Sequence, residues 1–337
     1  MCGIFGILAP NASNEWVAQL TQRLFRETQT RGTDASGIAY FAQSPEGDAV
    51  VRVLKKPLSG SRFANDEELR AILYPKKGNT PKVLIGHCRA KTQGDEKENE
   101  NNHPLQSKET GIAVVHNGRV SDYMWRATNE AGENPYLLSP FVAEVDTEAI
   151  LQLIDTLLFI PRNADQTIDP EIVAATPKDQ WPKTSQVSTM KAIDDAVFNL
   201  SGGQACALLD PGEPDSIFLW KVKNPIYIAW LEEQQAIVFA STETILKAAL
   251  ETTKTEYKFD FFEVKKETIT PKYIGRELPE EWLAHITFDP DAASPDDMFD
   301  FDIVDLKPDA ANFHTVTNHS RKVEASKDVE NATIITH

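Results

Sequence analysis

The hexapeptide Gly3-Ile4-Phe5-Gly6-Ile7-Leu8 is apolar on both of its alternating faces. A segment with no polar face predicts a buried strand, here starting at the third residue of the chain, with Cys2 immediately before it. The next signal has a different period. Trp16, Val17, Leu20, Leu24 and Phe25 share one stripe of a helix predicted over 14–28. Short apolar runs bounded by polar or glycine-containing segments predict strands at 38–41, 50–54, 83–85 and 112–115. A helix is predicted over 147–159, with Ile150, Leu153, Ile154, Leu157 and Leu158 facing inward. Residues 161–190 are rich in Pro, Asp, Thr and Gln without a sustained period, and are expected to form a surface insertion. Order is expected again at 191–200 and 243–250 as helices, and at 204–209, 216–220, 226–230 and 236–240 as strands. Two last strands are placed near 257–264 and 267–273. After about 275 aspartates mix with Phe288, Met298, Phe299, Phe301, Ile303 and Val304, which is expected to be a flexible acidic extension over 276–337.

Composition narrows the function classes. A chain of 337 residues can bury a substantial core. The formal net charge of −17 repels phosphate backbones and anionic membranes, so no nucleic-acid or membrane partner is expected. Cys2, Cys88 and Cys206 are too few and too widely spaced for a disulfide framework, which fits a reducing cytoplasm. No basic segment precedes the first apolar run, so no secretory signal is expected.

Five segments carry candidate chemistry. Methionine ahead of a small residue is normally trimmed. Cys2 would then hold a free α-amine whose pKa is about 7.7–8.0, putting nucleophile and base on one residue. Arg31-Gly32-Thr33-Asp34-Ala35-Ser36-Gly37 forms a tight helix-to-strand loop that Arg31 and Asp34 can brace as an ion pair or by hydrogen bonds. Gly86-His87-Cys88-Arg89-Ala90-Lys91-Thr92-Gln93-Gly94 follows a strand; its arginine can grip a carboxylate with two parallel hydrogen bonds. His87 reads as a structural histidine and Cys88 as inert. Val114-Val115-His116-Asn117-Gly118 places an amide side chain beside a glycine N–H, a pairing suited to an oxyanion hole, although Asn-Gly after a strand is also a plain hairpin turn. Asp146, opening a helix, is a helix cap or an anchor for an ammonium group. Taken singly, most of these have an ordinary structural explanation.

In order along the chain, these motifs and Asn102-His103-Pro104 together resemble the class II, N-terminal-nucleophile glutamine amidotransferases. The similarity is to the glutaminase domains of glucosamine-6-phosphate synthases and amidophosphoribosyltransferases and, more distantly, of asparagine synthetases. It covers about residues 2–270, apart from the insertion. It implies an α+β fold, a four-layer αββα sandwich of two antiparallel sheets, over residues 1–275 with an acidic C-terminal tail. It also implies a role for each residue: Cys2 as nucleophile, Asn117 and Gly118 as oxyanion hole, Arg89 on the glutamine α-carboxylate and Asp146 on its α-amine. Thr92 and Gly118 line the pocket, Arg31 and Asp34 support it, and His103 lies near it. No metal or cofactor is implied. Two departures stand out: Ala90 and Gln93 occupy positions that are tryptophan and histidine in glucosamine-6-phosphate synthase, in a segment that shields the site and helps pass ammonia onward.

The residues after 275 are too few for a sugar isomerase, phosphoribosyltransferase or synthetase domain. Ser201-Gly202-Gly203 lacks the Asp-Ser of an ATP-binding loop, and no P-loop is present. The expectation is therefore a cytoplasmic glutaminase subunit supplying ammonia to a separate synthetase or transferase. The alternatives are a stand-alone hydrolase of another γ-glutamyl amide, and an inactive binding module that keeps the fold.

Overall fold

The computed structural model describes residues 1–120, 137–138, 141–163, 167–251, 263–265, 268–270, 276–289, 292 and 298–306. Numbered in chain order, the first half contains β1 (Gly3–Leu8), α1 (Asn14–Thr28), β2 (Ala35–Gln43), β3 (Ala49–Lys56), α2 (Gly60–Phe63), α3 (Glu67–Leu73), β4 (Val83–Arg89), β5 (Leu105–Gln106), β6 (Ala113–His116), β7 (Arg119–Val120) and α4 (Thr147–Phe159). There follow α5 (Pro170–Ala175), α6 (Thr189–Phe198), β8 (Gly202–Leu209), β9 (Ser216–Val222), β10 (Tyr227–Leu231), β11 (Ala236–Ala240), α7 (Glu243–Glu251), β12 (Glu263–Lys265), β13 (Thr268–Thr270), β14 (Arg276–Glu277), β15 (Trp282–Phe288) and β16 (Phe299–Asp305).

Two antiparallel sheets form. One has the order β14-β10-β11-β1-β4-β2-β3; the other runs β16-β15-β9-β8-β6-β5, with β7 also pairing β8. The side-chain period of two places alternate residues in different layers. Ala205, Ala207 and Leu209 of β8, Val115 of β6 and Leu219 of β9 join the core between the sheets. Their neighbours Cys206, Leu208, Val114, Phe218 and Trp220 join a second core with α4 and α6. On the far side α1 and α7 cover the first sheet, and Phe25 of α1 meets Phe5 edge to face at 4.8 Å. The result is the expected αββα sandwich, with β1 buried on both faces. Cross-strand partners Phe5↔Gly86 and Gly6↔Phe239 explain the glycines in these central strands: a Cβ at either glycine would overlap the facing ring.

α1 and α4 span the residues their periodicity predicts. α4 is buried nearly all round, because the sheet and α6 enclose it and its polar residues fix neighbouring loops. Glu148 accepts the N–H groups of Val142 (2.9 Å) and Ala143 (2.6 Å), and Thr156 Oγ1 accepts that of Leu138 (2.9 Å). Asp155 accepts from the Thr110 hydroxyl at 2.8 Å, and burial raises its carboxyl pKa to about 6, against the pull of the Ser107 and Thr110 hydroxyls. An acid whose folded pKa is raised binds its proton more tightly when folded. Its contribution is therefore largest below the unfolded value of 3.8 and is lost as pH rises through about 6. At about 1.36 kcal/mol per pKa unit, the loss is roughly 3 kcal/mol. Asp155→Asn should remove this slope: in urea melts the variant should gain on wild type between about pH 4 and about pH 7. A constant difference across that range would show that burial does not perturb Asp155.

Three expectations need correction. The strand expected at 83–85 runs on through Gly86-His87-Cys88-Arg89, because His87 Nε2 and the Arg89 guanidinium find buried partners in the His116 carbonyl and Asn102. The insertion is partly ordered: α5 follows the Asp169 cap, and Ile160, Val173 and Trp181 make a small core of their own. The segment expected to be a flexible extension from 276 supplies β14, β15 and β16 to the two sheets, so the domain runs at least to Leu306. Phe299-Asp-Phe-Asp-Ile-Val-Asp305 is a period-two strand whose Asp300, Asp302 and Asp305 are exposed. Residues 307–337 lie outside the described residues, as does most of the pair expected at 257–264 and 267–273; the described parts of that pair form the β12–β13 hairpin. No helix among the described residues is long and apolar enough to cross a membrane.

Candidate active site

The candidate residues gather where the ends of β1, β4 and β6 meet the start of α4. β1 pairs with β4 through Gly3↔Cys88, which brings Cys2 to the Arg89 end of β4. Cys2 Sγ lies 3.5 Å from the Ala90 carbonyl oxygen and donates to it. Burial pushes the thiol pKa up; the Ala90 backbone, the amino terminus and Arg89 oppose that, and Asp146 adds to it. The thiol therefore senses both charged candidates. Met1, ahead of it, is 82% exposed.

Arg31 and Asp34 brace the site without pairing with each other among the described residues. Arg31 Nε donates to the Cys2 carbonyl at 2.7 Å, and Asp34 Oδ2 accepts the Lys91 N–H at 2.7 Å. Gly32 sits between them because a Cβ there would overlap the Arg89–Ala90 backbone.

Arg89 is 2% exposed. Its guanidinium donates to Asn102 Oδ1 (2.9 Å) and to the carbonyls of Gln93 and Gly94 (3.0 Å to the latter). In this conformation it holds its own loop, and one of its two outer nitrogens is fully occupied by carbonyl oxygens. A carboxylate can meet only the remaining N–H groups unless the loop yields. Thr92 is exposed on that loop.

Asp146 occupies the N-cap position of α4, but its side chain does not cap the helix. Oδ2 instead accepts the Val120 N–H at 2.8 Å, tying the start of α4 to β7. Asn117 is buried, and its backbone exchanges hydrogen bonds with Ala205 (2.8 and 3.0 Å). Its side-chain Nδ2 is buried with no hydrogen-bond partner among the described residues. Gly118 is exposed beside it, and a Cβ there would overlap the Gly203 carbonyl oxygen.

Three buried histidines lie behind these groups. His87 Nε2 donates to the His116 carbonyl at 3.1 Å, joining the two sheets. The Thr147 hydroxyl stands 2.7 Å from His103 Nε2 and 3.0 Å from His116 Nδ1. With His116 Nε2–H directed to the Gly203 carbonyl at 3.4 Å, one hydrogen order fits: His103 Nε2–H to Thr147, and Thr147 O–H to His116 Nδ1. Burial lowers the pKa of all three rings, that of His87 to about 3 and that of His103 well below its ordinary value. His87 and His103 stack with centroids 4.3 Å apart. Neutral rings in this arrangement serve as structural joints. Cys88 is fully buried and its thiol is pushed up to about 12, so it has no nucleophilic character.

No family model matches the chain. Among curated proteins it is similar to the glutamine–fructose-6-phosphate aminotransferase [isomerizing] of Bacillus thuringiensis, 29% identical over 233 residues, and to that of Staphylococcus aureus, 29% identical over 229 residues; each match covers 68% of this chain and 30% of the relative. The chain thus spans about a third of the length of the curated relatives it matches. Among solved structures it superposes on the glutamine phosphoribosylpyrophosphate amidotransferase of B. subtilis with a TM-score of 0.54 at 18% identity, covering 89% of this chain and 49% of that one. A structure titled the allosteric regulatory enzyme of purine biosynthesis gives 0.55 at 18%, covering 89% and 48%. The chain is homologous to the class II glutamine amidotransferases.

In this class II homologue, Cys2 and Arg89 come from the first sheet. Asn117, Gly118 and Asp146 come from the second sheet and the helix on it. Three polar groups at the site were not singled out from sequence. Asn102, within Asn102-His103-Pro104, takes the Arg89 guanidinium, and Thr147, directly after Asp146, bridges two histidines. Asn224 donates to the Asn117 carbonyl at 2.8 Å across 107 residues of chain, and nothing in its local sequence marks it.

Proposed function

We propose that this chain is a glutaminase that hydrolyses the side-chain amide of glutamine through a Cys2 thioester and passes the ammonia to a separate acceptor enzyme. The observation that carries this reading is the buried Asn117 Nδ2, an amide donor with no hydrogen-bond partner among the described residues, at the seam where Cys2, Arg89 and Asp146 interact. A buried donor costs stability unless something uses it, and a developing oxyanion would use it.

Once the Cys2 α-amine is free, the neutral amine takes the thiol proton. The thiolate attacks the amide carbon of glutamine, and the oxygen gains its negative charge against Asn117 Nδ2–H and the Gly118 N–H. Collapse of the tetrahedral adduct breaks the C–N bond, and the ammonium proton returns to the leaving nitrogen, which departs as ammonia. Water then adds to the thioester carbonyl, giving glutamate and restoring Cys2. The α-amine is the favoured base because the hydrogen bond of Sγ runs to a carbonyl, while burial makes His87 and His103 weak bases whose Nε2 atoms face the His116 carbonyl and Thr147. Asp146 offers its charge to the α-ammonium of glutamine. The remaining N–H groups of Arg89 meet the α-carboxylate.

Ammonia release measured against glutamine and a panel of γ-glutamyl amides tests the substrate; preference for a substituted amide would replace glutamine in this scheme. Asp146→Asn keeps an acceptor for the Val120 N–H but removes the charge. It should raise KM for glutamine by about 10- to 100-fold with a smaller effect on kcat. An unchanged KM would remove Asp146 from the substrate site.

A further inference from the structure

We infer that Asn224 is a positioning residue for the oxyanion hole, acting through the peptide bond between Asn117 and Gly118; this rests on the amidase reading above. The carbonyl of that peptide accepts two hydrogen bonds, from Ala205 N–H at 3.0 Å and from Asn224 Nδ2–H at 2.8 Å. The peptide is planar and trans, so its N–H points opposite its carbonyl. Fixing the Asn117 oxygen therefore fixes the direction of the Gly118 N–H, the proposed backbone donor. A doubly hydrogen-bonded carbonyl also polarises the amide and strengthens that N–H as a donor. No hydrogen bond among the described residues uses the Gly118 N–H itself.

The chain is bent to put Asn224 there. β9 ends at Val222, and Lys223 takes φ 69°, an uncommon conformation for a residue other than glycine. Its N–H is held by the Glu280 carboxylate, and the Asn224 N–H returns to the Val222 carbonyl at 2.9 Å. This tight reversal aims the Asn224 amide at the Asn117–Gly118 peptide. The same amide nitrogen stands 2.7 Å from where a Cβ on Gly118 would lie, so it also walls the glycine in. Its orientation follows from its partner: a carbonyl only accepts, so the group facing it is the NH2.

A group that aims a transition-state donor should affect kcat more than KM. Wild type, Asn224→Ala and the isosteric Asn224→Asp, each with its processed N-terminus confirmed by mass, are assayed for kcat and KM with glutamine and for the rate of Cys2 alkylation by iodoacetamide. Both variants should lose about tenfold or more in kcat, with KM within about twofold and alkylation unchanged. Asn224→Asp should fall at least as far, because its carboxylate cannot donate and repels the carbonyl; it decides the matter if the alanine variant fails to fold. An active wild type whose two variants keep kcat within about twofold overturns the role of Asn224 alone. Loss of kcat and alkylation together marks Asn224 as a scaffold residue and overturns it too. A wild type that releases no ammonia from any γ-glutamyl amide overturns the amidase reading and this role with it.

Discussion

Cys2→Ala should release no measurable ammonia from glutamine, a loss of at least about 10⁴-fold, while its melting temperature stays close to wild type. The two halves of this expectation have separate causes. Among the described residues the Cys2 thiol is the group suited to the proposed acyl intermediate, since Cys88 is buried with its pKa pushed up to about 12 and burial makes the nearby histidine rings weakly basic. Cys2 itself precedes β1 and is only half-buried, so losing its sulfur removes little packing. The comparison needs intact mass beside it, because a retained Met1 acylates the amine and silences wild type for a different reason. With the amine free, kcat/KM should rise as pH climbs toward about 8, where the amine loses its proton. Equal ammonia release by Cys2→Ala and wild type would end the thioester scheme.

Asn117→Ala is the second large effect, and its sign differs between activity and stability. Removing one oxyanion donor lowers kcat by about 10²- to 10³-fold in comparable sites. Asn117 Nδ2 is also a buried donor with no partner among the described residues, and such a group costs about 1–3 kcal/mol in desolvation. Deleting it offsets the packing lost with the side chain, so the variant should melt at or above the wild-type temperature while being nearly inactive. That pattern belongs to a residue kept for function at the expense of the fold. A variant that melts well below wild type and keeps its kcat would make Asn117 an ordinary core residue.

Much of the architecture was legible because burial imposes a period. α1 and α4 match their predicted ends, where Val17, Leu20 and Leu24, or Ile150, Leu153 and Leu157, recur at helical spacing. The differences share a cause: a polar residue signals solvent in the sequence unless a distant partner buries it. By polarity His87 and Arg89 end a strand, yet each is buried because a distant carbonyl or amide meets it. Aspartates in β16 point to a loose tail by composition, although the alternation of Asp300 and Asp302 with Phe299, Phe301 and Ile303 is the period of a strand with one wet face. For the site, Cys2, Arg89, Asn117, Gly118 and Asp146 could be named from motifs. What each one touches could not, because those contacts are long-range. Asn224 is the extreme case, since its proposed role rests on a contact with residue 117.

The site lies across the seam between the two sheets, and the His87 hydrogen bond to the His116 carbonyl crosses that seam beside it. The Cys2 thiol and the proposed oxyanion donors thus ride on different layers, like the two scales of a vernier. Sliding one layer by a single residue, about 3.3 Å, would carry the donors out of reach of the thiol while each sheet kept its own hydrogen bonds. If the proposed chemistry holds, ammonia release gauges the alignment of the layers, a property to which measures of secondary structure alone are blind.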